Sequence, residues 1–474
     1  MISEPLRIAL LSYRSKPHSG GQGIYVRHLS RELVALGHHV EVISGPPLPV
    51  LDEGVRLTEL PSLDLYREPD PFRTPAWSEF KDSIDALEWA AMCTGAFPEP
   101  LTFSLRAWRH LRGRAGEFDV VHDNQCLGYG LLPLSRSGTP VVATIHHPIT
   151  VDRDLELAAA PDWKRRMSLR RWYAFTRMQG RVARRLPWLT TVSGAARDEI
   201  VDAFGVRAER LRVIGVGVDT DTFSPVPRER ALSTATGEKP GTFSTASEEE
   251  LSTLRTASGE GPGTFRTASG EELGTFSAAS GERPGIGSKV GRIVAVASAD
   301  VPLKGLSELI EAVAKLRAER DVELVVVGSA RPKGAAAQAI ARLGLDRVVR
   351  FVSGISDDEL ADLFRSATVA AVPSRYEGFS LPAVEAMACG VPLVVTTAGA
   401  LPEVAGPDGL ASLHVPPGDA GALAAAIGRL LDDEDLRRRL GAEGRRRAVE
   451  NFTWRHTAVR TAQWYADAIA AKGR

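Results

Sequence analysis

Apolar residues in this chain come in two alternating rhythms. Short, nearly unbroken runs read as strands buried on both faces: "RIALLSY" from Arg7, "HVEVIS" from His39, "FDVVHD" from Phe118, "PVVATIHH" from Pro140 and "PWLTTVS" from Pro187. Between them lie stretches spaced for helix. "IYVRHLSRELVAL" carries Ile24, Leu29, Leu33 and Leu36 on one face, and Gly37 stops it. The second half repeats the logic. "RIVAVAS", "VELVVVGS", "VVRFVSG", "VAAVPS" and "VPLVVTT" are the strands there, and "LSELIEAVAKLRAE" is one of the helices. Strands of this kind alternating with helices predict parallel sheets covered on both faces. The fold class is therefore α/β, with two doubly wound domains. The first extends over residues 1–225 and the second over 289–455.

The rhythm fails between the halves. Residues 231–285 are five copies of an 11-residue unit, from ALSTATGEKPG to TFSAASGERPG. Such a period can mark a right-handed coiled coil. Most copies, however, hold one large apolar residue among Gly, Ser, Thr and Pro, too little to offset chain entropy. A disordered linker over 226–288 is expected, a neutral expansion of the kind surface loops tolerate.

Composition narrows the function. The formal charge is −1 over 474 residues, which argues against wholesale nucleic-acid binding. Cys93, Cys126 and Cys389 are isolated, so neither a disulfide framework nor a CxxC metal site is expected, and a reducing cytoplasm suits them. "MISEPLRIALLSY" carries no cleavage signature, and no apolar run is long enough to span a bilayer.

In doubly wound sheets, ligands gather outside the carboxyl ends of the strands. Gly20 and Gly21 follow the first strand, His146 and His147 end "VVATI", Lys304 follows "RIVAVAS", and Glu377 follows "VAAVPS". Two domains with these ends facing one cleft would bring the groups together. The most telling stretch is "PSRYEGFSLPAVEAMACG", from Pro373. Glu385 stands alone in an apolar helix that Ser380 is placed to cap and Gly390 to end. Glu377 lies on the loop before it. The backbone N–H groups of Gly378, Phe379, Ser380 and Leu381 at that helix start form an anion site. A phosphate flanked by two hydroxyl-accepting carboxylates describes a nucleotide-diphosphate sugar, with the ribose at Glu385 and the sugar at Glu377. A capping glutamate beside a solvent-facing one is the plainer alternative.

On these residues the chain resembles the retaining glycosyltransferases of family four, which have the GT-B fold. The resemblance extends over nearly everything but the repeat. Glu377 to Glu385 matches the family's two-glutamate motif and "PLKG" its lysine site. "GGQG" matches its diphosphate and acceptor loop, and His146 aligns with its reaction-centre histidine. Residues 456–474 resemble a closing helix that returns to the first domain. The resemblance implies sugar transfer from a nucleotide-diphosphate donor with retained anomeric configuration and no cofactor or obligatory metal. His146, Lys304 and Glu377 would be the catalytic residues. Gly20, Gly21, Lys304, Glu377, Gly378, Phe379, Ser380, Leu381 and Glu385 would bind the donor. Lys304 and the backbone donors would stabilise charge on the leaving diphosphate. A front-face mechanism needs no protein nucleophile.

Two departures stand out. Ala299 replaces an arginine, leaving the diphosphate to Lys304 alone or to another cation such as Arg375. Val216 replaces an asparagine in "GVGVD". The glycines near 20 do not make a dinucleotide fingerprint, because Val26 occupies the third position. Rival readings are a nucleotide-sugar epimerase or phosphorylase on the same fold, and a non-catalytic sugar-nucleotide-binding module. The basic, aromatic-laced segment 164–188 reads as a solvated helix face. Docking on anionic lipid at the inner face of the membrane, near a lipid-linked acceptor, is its alternative. Residues 62–100, spotted with prolines, read as an irregular acceptor loop.

Overall fold

The computed structural model describes residues 4–15, 21–67, 70–114, 116–226, 265–266, 272–273, 290–297, 301–330 and 334–472. The chain divides into two compact units. One is Met1–Gly217 with Trp454–Arg474, the other Val218–Thr453.

The first unit is built on seven strands, β1 (Arg7–Ser12), β2 (His39–Ser44), β3 (Arg56–Glu59), β4 (Val120–Asn124), β5 (Val141–Ile145), β6 (Trp188–Thr191) and β7 (Leu211–Val213). Their order is β3-β2-β1-β4-β5-β6-β7, every pairing parallel. β1 is central and buried after its first residue, with Ile8, Leu10 and Leu11 wholly inaccessible. The register aligns Ser12 with both Ser44 and Asn124, so these ends share one edge. The first helix is Gly21–Ala35. It therefore takes in Gly21 and Gly23, which the sequence pattern left in the preceding loop.

The helix Trp454–Lys472 packs into this unit. Thr457 Oγ1 donates to Gly215 O at 2.8 Å, and the Trp464 ring meets Trp188 edge-on at 4.6 Å. Tyr465 is fully buried, and its hydroxyl lies 2.5 Å from Nδ1 of His122 on β4. Nε2 of His122 reaches Thr144 Oγ1 at 2.6 Å. Burial pushes His122 down to about 3, so it is a neutral core histidine.

Residues 62–100 are not irregular throughout. Asp82 caps the helix Ser83–Cys93 by accepting from the N–H of Ile84 and Asp85. Arg106 from the helix Glu99–Leu111 lies 2.6 Å from Asp85 and 2.5 Å from Glu88, which leaves no buried charge on this helix unpaired. The basic segment forms the helices Trp163–Trp172 and Phe175–Ala183 and runs into β6.

The second unit has strands β10 (Gly291–Val296), β11 (Val322–Val327), β12 (Val349–Val352), β13 (Val369–Val372), β14 (Leu393–Thr396) and β15 (Ser412–Val415), all parallel, in the order β12-β11-β10-β13-β14-β15. Leu309, Val313, Leu324, Val326, Ile427 and Leu430 lie in its core. Within the 11-residue repeat the described residues are a two-residue antiparallel pair, β8 (Phe265–Arg266) with β9 (Glu272–Leu273). The rest of the repeat, and the expectation of disorder attached to it, lies outside the described residues. Among the described residues no helix is long and apolar enough to cross a membrane, and no cluster of His, Cys, Asp and Glu could hold a metal ion.

Candidate active site

In the second unit the loops after β10 and β13 are locked together by backbone. The N–H of Arg375 donates to Leu303 O at 2.7 Å. Gly305 sits at φ 63°, and a Cβ there would stand 1.9 Å from Pro373 O. Only glycine accepts both the left-handed backbone and that approach. The close fit carries Lys304 to the end of β13, where its Nζ lies 2.8 Å from Glu377 Oε1. Ser374 Oγ donates to the same oxygen at 2.7 Å. Among the described residues both contacts fall on Oε1, which leaves Oε2 to accept from a ligand hydroxyl.

The far side of Glu377 is fixed as well. Its carbonyl accepts from Ala400 N–H at 2.9 Å, and a Cβ on Gly399 would lie 2.2 Å from that carbonyl oxygen. The Thr396 hydroxyl donates to Ser374 O. Three loops, after β10, β13 and β14, thus hold one carboxylate. Ser374 and Gly399 carried no signal of this in the sequence. Ser374 is an ordinary strand-end serine, and Gly399 lies 22 positions beyond Glu377.

The helix after Glu377 is Leu381–Ala388. Ser380 precedes it, but not as a side-chain cap. Its backbone is left-handed, φ 85° and ψ 83°, and its hydroxyl makes no capping bond. Ser380 Oγ is buried without a partner among the described residues. A strained serine with an orphan hydroxyl at a helix N-terminus suits a site that a ligand completes. Phe379 is buried with its ring edge-on to Phe452 at 5.8 Å, so what it offers a ligand is backbone N–H. Glu385 is half-buried on the helix, and among the described residues no cation pairs with it. Burial, with the Asp357 carboxylate adding to it, pushes its carboxyl up to about 8. Arg375 does not stand ready as a second phosphate cation, because its guanidinium is engaged by Glu308, Nε at 2.9 Å from Oε1. Ala299 and Gly20 lie outside the described residues.

In the first unit Gly21 opens the Gly21–Ala35 helix, and a Cβ there would meet nothing within 4 Å. His146 follows β5. Its Nε2 lies 2.7 Å from Asn124 Oδ1, its backbone N–H donates to Gln125 Oε1 at 2.7 Å, and Tyr25 meets its ring edge-on at 4.7 Å. Burial, with His147 and His122 adding to it, pushes its imidazole down to about 3. The ring is therefore neutral at working pH and can accept as well as donate a hydrogen bond. His147 turns instead to Asp152, at 3.1 Å.

Each unit matches a family model. Residues 20–217 match the glycosyl transferase 4-like domain, and residues 283–447 match glycosyl transferases group 1. Over 466 residues the chain is 52% identical to the MMP α-(1→4)-mannosyltransferase of Mycolicibacterium hassiacum, covering 98% of this chain and 99% of that one. The D-inositol 3-phosphate glycosyltransferase of Streptomyces coelicolor is 27% identical, with 99% and 93% covered. Among solved structures, sucrose-phosphate synthase from Thermosynechococcus elongatus superposes with a TM-score of 0.63 at 23% identity, covering 98% of this chain and all of that one. Anabaena HepE in complex with UDP and glucose gives 0.62 at 17% identity, with 97% and 98% covered. The structural likenesses establish the GT-B fold. Full-length identity to a mannosyltransferase favours a transferase over an epimerase or a non-catalytic module. The chain belongs to the family 4-like glycosyltransferases of group 1 and is an enzyme that takes a nucleotide-sugar donor.

Proposed function

We propose that this protein is a retaining α-(1→4)-mannosyltransferase. It moves mannose from a nucleotide-diphosphate donor to a hydroxyl of a mannose-containing acceptor. The observation that carries this reading is 52% identity to an α-(1→4)-mannosyltransferase over 98% of the chain. The second unit supports it with a lysine and a carboxylate in contact beside a helix N-terminus.

The steps follow from the residue chemistry. Lys304 and the backbone N–H groups of Gly378 to Leu381 hold the diphosphate and stabilise the charge it gains as the C1–O bond breaks. Glu377 accepts from sugar hydroxyls through Oε2 and orients the ring. Glu385 accepts from the ribose hydroxyls, and donor binding supplies the partner its half-buried carboxylate lacks. Gly20 and Gly21 are assigned to donor binding by their match to the family's glycine loop. His146 contacts donor or acceptor near the anomeric carbon. The acceptor hydroxyl bonds to C1 on the face the diphosphate leaves, and its proton passes to a departing phosphate oxygen. Residues 164–188 give a finer reading of place. Trp163 and Met167 are exposed among Lys164, Arg165 and Arg166, which suits a cytoplasmic enzyme resting on anionic lipid near a lipid-linked acceptor.

Calorimetry and product analysis with UDP-, GDP-, ADP- and TDP-mannose test the reading. Wild type should bind one donor and release its nucleotide diphosphate slowly. With an α-(1→4)-mannobiose acceptor the product should be α-linked by its anomeric proton. Glu377→Ala should lose transfer by at least a hundredfold and keep nucleotide binding. A β-linked product, or undiminished turnover in that variant, sinks the mechanism.

A further inference from the structure

The carboxyl end of β4 is unusually committed to one imidazole. Gln125 is a buried non-glycine residue at φ 60°, a backbone that L side chains rarely hold without reason. Its own N–H donates to Thr144 O at 2.9 Å, the last rung of the β4–β5 ladder. From there the side chain takes over. Gln125 Oε1 accepts from His146 N–H at 2.7 Å and Nε2 donates to His147 O at 3.1 Å. One carboxamide thus grips both backbone groups of the segment that leaves β5. The strained turn is itself braced, since Gln179 Nε2, buried, donates to the carbonyls of Gln125 and Cys126 at 3.2 Å each.

Asn124 completes the grip at the ring. Its Oδ1 accepts from His146 Nε2 at 2.7 Å, while its Nδ2 is buried with no partner among the described residues. A buried amide that leaves one donor unpaired so as to hold one ring nitrogen is a poor choice for packing alone. Among the described residues the groups facing this ring are Asn124, Tyr25 and the two histidines, His122 and His147. None of these described groups is a carboxylate, so none of them favours an imidazolium. An amide oxygen in that place selects a tautomer without supplying charge.

We infer that Asn124 and Gln125 are positioning residues that hold His146 in one tautomer, Nε2 protonated and Nδ1 carrying the lone pair, so that Nδ1 accepts a hydrogen bond from a sugar hydroxyl during transfer. The inference rests on the role given to His146 above. It adds that the residue's work is acceptance rather than proton donation, and that two residues touching no substrate enforce it.

The test uses the full-length protein, the nucleotide-diphosphate mannose that the donor panel selects and α-(1→4)-mannobiose, with kcat and KM followed from pH 5.5 to 9. Wild type should vary less than twofold in kcat across this range. Asn124→Asp keeps an oxygen acceptor at Nε2 but adds the charge that stabilises an imidazolium. It should therefore match wild type within about threefold at pH 9 and fall at least tenfold by pH 6, with KM for donor little changed. A loss that is the same at every pH overturns the inference, because it marks a merely structural residue. His146→Ala is run beside it. If that variant turns over like wild type, the role of His146 itself fails; if it is inactive while Asn124→Asp shows no acid limb, only the positioning claim fails. Should Asn124→Asp not fold, the tautomer is read directly in wild type from histidine ¹⁵N shifts, with the His146 signal identified by its loss in His146→Ala. A protonated Nε2 and bare Nδ1 from pH 6 to 8.5 upholds the inference, and Nδ1–H or an imidazolium overturns it.

Discussion

Gly305 and Gly344 offer a matched pair of perturbations. Both are left-handed, φ 63° and 65°, and both border a helix. An alanine at either position should lose about 1–2 kcal/mol to backbone strain alone. They differ in what surrounds them. A Cβ at Gly344 meets nothing within 4 Å, whereas at Gly305 it lands 1.9 Å from Pro373 O. Side-chain carbons essentially never approach closer than 3.0 Å, so in Gly305→Ala the two loops must part by roughly 1.1 Å, the difference between 3.0 and 1.9. That parting strikes the Arg375–Leu303 rung and draws Lys304 from Glu377, now 2.8 Å apart. A misplacement of about 1 Å in a positioning group costs roughly a hundredfold in rate. Urea unfolding and kcat/KM for mannosyl transfer should therefore separate the variants. Gly344→Ala should be less stable by about 1–2 kcal/mol with transfer within twofold of wild type. Gly305→Ala should lose at least as much stability and about a hundredfold in kcat/KM. Equal activity in the two would refute the claim that backbone contact between these loops places Lys304.

Three further outcomes are expected. Glu385 titrates near 8 in the folded donor-free protein against about 4.3 unfolded, so the folded state binds the extra proton and stability falls as pH rises through that window, by at most about 1.4 kcal/mol per unit; Glu385→Gln should gain on wild type between pH 5 and 8 in urea titrations, and a pH-independent difference would remove Glu385 as the cause. Tyr465→Phe leaves His122 Nδ1 buried without its partner and should lose about 1–3 kcal/mol by denaturant unfolding, a change under about 0.5 kcal/mol counting against the bond. Deleting residues 231–285 should leave transfer within twofold, since the repeat's composition offers no core; loss of folding or of turnover would make it more than a tether.

What was legible in the sequence was what local chemistry dictates. β1, β5, β10, β11 and β14 announce themselves because strands buried on both faces must be apolar throughout. β3 and β15 were missed because RLTE and SLHV are short and half polar, strands only by virtue of a neighbouring ladder. The Ser83–Cys93 helix hid behind its proline-rich approach, although Asp82 and Asp85 form a readable capping box. Glu385 drew notice because a charge among alanines, valine and methionine needs a reason. The contact of Lys304 with Glu377 spans 73 positions. It depends on Gly305, Ser374 and Gly399, residues whose importance is steric and appears only once three loops are in place. Ser380 shows the same limit. Its residue type suggested a capping hydroxyl, whereas its left-handed backbone turns that hydroxyl to a place without partners among the described residues. Asn124 and Gln125 went unread, because the strand run "FDVVHD" ends at Asp123 and nothing in their identity points to a histidine over twenty residues away.

The last helix gives the chain an asymmetry of assembly. Val218–Thr453 is one unbroken stretch, an insertion within a unit whose two parts lie on either side of it. The inserted unit has all its sequence once Thr453 leaves the ribosome. The outer unit, though begun first, must wait for Tyr465 to travel back to His122, 343 positions upstream. Until then the His122 face of β4 stays open, and a chain cut short before Trp454 would carry a finished inner unit inside an unfinished outer one. Quality control acting on the nascent protein would see the N-terminal half exposed longest, although it was made first.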